Sequence, residues 1–195
     1  TRRSSDLSPS ARLSFTAATD TFDADPMAFN VQNGTLRFAK CDDGDYVRFT
    51  AHNRSDRMTK IAPVGYDPAA ACERYDAFLA RVHPDCDDKG QDIGGAEMRR
   101  HLHILGGLSL TAKQIAKMWF WYGVGRNGKS VLADIWAWLL GDYSQSIPIE
   151  SFLDQGRARR GGEASPDIAA LPGVRMLRTS EPEKRSKLAE SMIKL

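Results

Sequence analysis

The stretch from Met118 to Ser130, MWFWYGVGRNGKS, leaves this chain few ways to fold. An unbroken apolar and aromatic run, Met118-Trp119-Phe120-Trp121-Tyr122, gives way to Gly123-Val124-Gly125-Arg126-Asn127-Gly128. From Lys129-Ser130 a second apolar-rich segment continues to Leu140. A short, wholly apolar run bounded by glycine predicts a buried strand, the glycines a tight loop, and the following segment a helix. The spacing GxxxxGK[ST] is met in full by Gly123, Gly128, Lys129 and Ser130.

That order of elements is what a phosphate cradle requires. Successive backbone N–H groups in a tight loop can aim at one centre, and the helix behind adds its positive end. Side chains would block the approach, so glycine is expected at Gly123, Gly125 and Gly128. Val124, Arg126 and Asn127 complete the expected contact loop. Lys129 can reach the β- and γ-phosphates of a triphosphate as a point charge, and the Ser130 hydroxyl can ligate the Mg²⁺ that bridges them.

The rest of the composition is permissive. An apolar fraction of 42% and a charged fraction of 27% are those of a globular chain. The net charge of +2 argues neither for nor against nucleic acid, which a local basic surface would have to bind. No apolar run approaches the roughly 20 residues that span a membrane, so no membrane partner is expected. Cys41, Cys72 and Cys86 follow no metal spacing, and a reducing cytoplasm is the simplest context.

Residues 1 to about 20 are rich in Ser, Thr and Arg and read as a loose lead-in. Asn33-Gly34, between Phe29–Gln32 and Thr35–Phe38, predicts a hairpin because both residues tolerate positive φ. A return strand is expected over Tyr46–Thr50. Asp42, Asp43 and Asp45 read as solvated turn acids, since the rest of a calcium loop is absent. Asp67-Pro68 has the chemistry of a helix start, and Cys72, Tyr75, Phe78, Leu79 and Val82 then form one apolar face up to Pro84. His83 reads as a solvated group at that helix end. A second helix is expected from about Gly95 to Leu105, closed by Gly106-Gly107, with His101 and His103 on different faces. A short helical stretch is expected at Thr111–Lys117.

The helix after the loop carries Val131, Leu132, Ile135, Trp136, Trp138 and Leu139, which predicts burial on several sides. Trp136 and Trp138 could stack on bases, but in so apolar a helix they read as core. Gly141 stops it, and Ile147-Pro148-Ile149 reads as a short strand. Arg157, Arg159 and Arg160 fall in a glycine-flanked loop that could grip a phosphate backbone or a neighbouring subunit, or simply be solvated. Val174 to Glu181 reads as a strand ending in an acid about fifty residues after Lys129. A P-loop enzyme needs a second carboxylate there, to hold Mg²⁺ through water and polarise the attacking water. Glu181 is the first choice and Glu183 the second; Arg178 sits awkwardly in a buried strand. Ser186 to Leu195 reads as a helix.

Four pieces of this sequence resemble the D5-type superfamily 3 helicases, the C-terminal half of phage, plasmid and virus primase–helicases. They are Asp25-Pro26 followed by Val31-Gln32-Asn33-Gly34-Thr35-Leu36 (like that family's N-x-x-N-G-hydrophobic signature), Gly65-Tyr66-Asp67-Pro68, Tyr122 to Ser130, and Ser165 to Leu171 through Arg175 to Ser180-Glu181-Pro182. The resemblance implies an α/β fold. Residues 1–112 would be a mainly helical D5 N-terminal domain with a β-hairpin. Residues 113–195 would be the first part of an incomplete, AAA+-like P-loop NTPase core. It also implies ATP and Mg²⁺ as cofactors, single-stranded DNA as partner, a homo-hexameric ring, an associated primase domain or protein, and the host cytoplasm as location. Lys129 and Glu181 would be catalytic, with Ser130 and Glu181 at the metal.

In that family a Lys matched here by Lys194 leads into a Thr-Gly-Gly-Asp stretch, a sensor asparagine and an arginine finger. None lies within this chain, which therefore reads as a truncated piece expected to bind nucleotide weakly and hydrolyse it poorly. Two other readings are a P-loop NTPase of another class, such as a small-molecule kinase, and a non-catalytic DNA-binding or loading module with a vestigial nucleotide site.

Overall fold

A computed structural model describes residues 21–39, 44, 47–113, 115, 117–152 and 169–179. Asp42, Asp43, Asp45, Tyr46, the Arg157/Arg159/Arg160 loop, Glu181, Glu183 and the expected helix Ser186–Leu195 lie outside those residues, as do Cys41 and Lys194. Among the described residues the fold is mixed α/β with two small sheets.

The first sheet is an antiparallel meander of β1 (Ala28–Val31), β2 (Gly34–Phe38) and β3 (Val47–Thr50). Its register pairs Val31 with Gly34, Phe29 with Leu36, and Leu36 with Phe49. The expected hairpin is present, but the two turn residues are Gln32 and Asn33, and neither they nor Gly34 has positive φ. The glycine answers a different demand. A Cβ on Gly34 would run into the Thr50 carbonyl and lie 2.6 Å from the Phe49 ring, because β3 crosses close over the start of β2. Gly34→Ala should therefore destabilise the fold by about 1–3 kcal/mol through overpacking. Urea unfolding checks this, as a lowered midpoint with unchanged slope.

Asn33 serves the hairpin through its side chain. Its Oδ1 accepts from the Tyr66 N–H at 2.8 Å, and its Nδ2 donates to the Tyr66 carbonyl at 2.8 Å, as a strand neighbour would. Three residues earlier, Asn30 Nδ2 donates to the Lys60 carbonyl at 3.0 Å. Between them the Ala62 N–H donates to the Asn30 carbonyl and the Gln32 N–H to the Val64 carbonyl, each at 2.9 Å. The two asparagines of the N-x-x-N-G signature thus dock residues 60–66 parallel to β1 and satisfy an edge that would otherwise be open.

Two helices follow. α1 (Glu73–Val82) starts five residues later than Asp67-Pro68 implies. Asp67 Oδ1 accepts from the Ala69 N–H at 2.9 Å and its carbonyl from Ala70, closing a local turn instead of a helix. Cys72, expected on the apolar face, is exposed at the N-cap. α2 (Gly95–Leu108) runs through Gly106-Gly107 and stops just beyond them. Thr111–Lys117 has no helical residue among those described.

α3 (Lys129–Leu140) begins at the residue expected and stops at Gly141. It is less covered than its composition implies. Only Leu132 and Leu140 are buried, and Trp138 is 67% exposed, so the core reading holds for half-buried Trp136 and fails for Trp138. β4 (Ser144–Ser146) then pairs in parallel with β5 (Met176–Arg178). β4 ends just ahead of Ile147, and Ile149–Phe152 is a 3-10 turn. Arg178 is accommodated by an ion pair with Asp134 on α3, at 2.6 Å.

Two apolar clusters hold these pieces. Phe29, Val31, Leu36, Ala62, Leu140 and Tyr143 form the first, with Leu110 and Met176 against it, so the meander and the end of α3 share one core. Leu79, Leu102 and Leu132 form the second, one from each helix. Each such fully buried side chain contributes about 1.5–3 kcal/mol. Tyr143 is 2% exposed; its hydroxyl donates to the Lys60 carbonyl at 3.0 Å and accepts from the Asn30 N–H at 3.2 Å. Burial pushes its phenol above the ordinary 10.0. A raised value gives stability that is whole below the unfolded pKa and is lost as pH rises through the folded one. Tyr143→Phe should cost about 1–2 kcal/mol at neutral pH. That gap should narrow in urea titrations carried above pH 10.0; a constant gap would contradict the assignment.

Candidate functional site

The glycine loop occupies Gly123 to Gly128 and ends where α3 begins. Arg126 has φ +65° and Gly128 φ +81°, with Asn127 between them outside the positive region. Alternating signs over three residues curl successive N–H groups toward one concavity, the form that binds anions. A non-glycine residue at positive φ is strained, and such strain is concentrated at binding sites. The first turn of α3 follows this run directly; its leading N–H groups have no partner within the helix and carry the positive end of its dipole.

Lys129 folds back over the loop. Its ammonium donates to Asn127 Oδ1 at 2.7 Å and to the Gly123 carbonyl at 3.0 Å. A Cβ on Gly123 would meet the Asn127 amide and sit 3.3 Å from Lys129 Nζ, which accounts for glycine there by close approach. Gly125 lies in open space, with nothing near it that a Cβ would meet. Ser130 is exposed on the first turn of α3, and Val124 is exposed at the loop's crest. The loop, the lysine and the serine follow one another into the first turn of α3. The expected carboxylate, Glu181, lies outside the described residues.

The expected strand before the loop is not formed. Residues 118–122 have no strand pairing, Phe120 is 75% exposed and Tyr122 93%. Trp121 alone packs inward, edge-on to Trp136 with ring centroids 5.5 Å apart. An apolar run forms a central strand only where neighbouring strands accept its backbone, and among the described residues none lies beside it.

The sequence reading did not place α1 at the loop. A Cβ on Gly128 would lie 2.9 Å from Val82 Cγ1 and 3.0 Å from the Phe78 ring. The helix and loop border an open hollow of about 540 Å³, lined by Phe78, Arg81, Val82, Arg126, Asn127, Gly128 and Val131. Among the described residues its charged lining is Arg81 and Arg126. The only signal in the sequence was that apolar face of α1, which has the same pattern whether it covers a core or a ligand. Behind the hollow, Trp136 Nε1 donates to the Tyr75 hydroxyl at 3.1 Å and ties α3 to α1.

Arg175 was also unforeseen. Its guanidinium lies over the Tyr143 ring, 4.4 Å from the centroid, and donates to the Ala28 and Leu110 carbonyls. Burial pulls its pKa down, and the nearby Tyr143, Asp23 and Asp25 only partly oppose that. It joins β5 to the meander and to the segment after α2. Among the described residues no group of three or more His, Cys, Asp or Glu side chains could hold a metal ion. Nor is any helix among them long and apolar enough to cross a membrane.

No curated protein matches the chain significantly. A family match does exist, and it stops short of the glycine loop. It covers the meander, the docked segment 60–66 and α1: residues 7–84 match the family model described as D5 N terminal like.

Proposed function

We propose that this chain carries the nucleotide-binding front of an ATP-dependent DNA helicase of the D5 primase–helicase type. The observation that carries the reading is the concave run Arg126-Asn127-Gly128, set at the N-terminus of α3 with the Lys129 ammonium over it. The residues present fit a triphosphate: amides and a helix end for the oxygens, a lysine for their charge, and an exposed hydroxyl on Ser130. The match of residues 7–84 to a D5 N terminal like model supports the same class.

In this reading the Gly123–Gly128 amides hold the phosphates and keep them in line for attack. Lys129 leaves its internal partners and neutralises charge building on the β- and γ-oxygens. Ser130 would hold Mg²⁺, which spreads that charge, and Glu181 is the proposed second carboxylate. Single-stranded DNA is the proposed track, a homo-hexameric ring the assembly, a primase domain or protein the associate, and the host cytoplasm the location.

The test is ATP hydrolysis with and without single-stranded DNA, measured on the protein from the full open reading frame that contains this chain. Hydrolysis stimulated by DNA and abolished by Lys129→Ala is expected. Hydrolysis indifferent to DNA, or transfer of phosphate to a small acceptor, would replace the helicase with another P-loop class.

A further inference from the structure

The hollow between α1 and the glycine loop has walls unlike those of the loop itself. Phe78 and Val82 reach it from α1 and Val131 from α3, all three partly exposed to solvent. Arg81 and Arg126 stand among them, and among the described residues no acid does. At about 540 Å³ it falls within the roughly 300–1,000 Å³ of small-molecule clefts. Arg126, Asn127 and Gly128 line it as well, so the hollow borders the same loop residues whose φ signs alternate. An inorganic anion would have no use for Phe78, Val82 or Val131. A molecule with a flat, weakly polar ring at one end and phosphates at the other would use both halves.

We propose that this hollow takes the base and ribose of the bound nucleoside triphosphate, with the ring against Phe78 and Val82 and with Arg81 beside it. The proposal rests on the nucleotide reading above and extends it. α1, within the D5 N terminal like segment, becomes part of the nucleotide site. The segment before Pro84 would then sense whether nucleotide is bound, because its helix touches both the ligand and, through Leu79, the core shared with α2 and α3.

Titrating the 195-residue chain with ATP and with inorganic tripolyphosphate separates the two halves of the site. Val131→Trp places a large ring in the hollow from a half-exposed position. It should weaken ATP binding by at least about tenfold while leaving tripolyphosphate within about twofold, since only the nucleoside half is filled. Phe78→Leu removes the stacking face with little change of volume and should weaken ATP about tenfold, again sparing tripolyphosphate. If either protein melts early, the other decides.

Equal losses for both ligands, or no loss for either, would overturn the proposal and leave the phosphate reading standing. Failure of the unsubstituted chain to bind either ligand would overturn both.

Discussion

Lys129→Ala is expected to weaken ATP binding by roughly 10- to 100-fold. A hydrogen bond between an ammonium and a phosphate oxygen is charge-assisted, and such bonds contribute about 1.5–3 kcal/mol net. The same substitution should leave stability within about 0.5 kcal/mol, because the removed partners are a loop carbonyl and a side-chain amide that water can satisfy. Those partners are Gly123 O and Asn127 Oδ1, in a loop that is largely exposed. A lysine that merely pinned the loop would change the melting temperature and ligand affinity together. Equilibrium titration with ATP and Mg²⁺, beside a thermal melt of the same samples, reads both. Unchanged affinity would mean that the ammonium never leaves Asn127, and the phosphate role assigned to the loop would be lost with it.

What could be read from the sequence depended on how local each determinant is. The start of α3 at Lys129 was legible because a glycine with positive φ, a lysine and an apolar run lie within a few residues. The hairpin was legible for the same reason, although Gly34 is there for Thr50 and Phe49, neighbours brought in by a third strand. Met118–Tyr122 shows the opposite case. Its apolarity says that the run needs covering, but only a partner strand can make it a strand, and pairing is a long-range property. Asp67-Pro68 failed through competition: the aspartate that could cap a helix closes its own turn on Ala69. The contact between α1 and Gly128 could not be read at all, since amphipathic spacing marks a face without naming what it meets.

Arg175→Met is expected to destabilise the fold by about 2–4 kcal/mol, more than any exposed arginine would. Two opposing effects set that figure. Burial disfavours the guanidinium, and its pKa is lowered accordingly, though an arginine stays charged at neutral pH. Against this stand two charge-assisted bonds, to the Ala28 and Leu110 carbonyls, and a cation–π contact with Tyr143. Methionine removes the burial penalty but leaves both carbonyls without their donors, and an orphaned buried carbonyl costs about 1–3 kcal/mol. The second effect therefore exceeds the first. Arg175→Lys should recover only part of the loss, because one ammonium cannot span two carbonyls on separate segments with the geometry of a planar fork. For a chain of this size the methionine variant should melt about 5–12 °C lower. A melt unchanged within about 1 °C would show that β5 docks on the meander through Met176 and the Arg175 N–H to Tyr143 O bond alone, with the guanidinium a passenger.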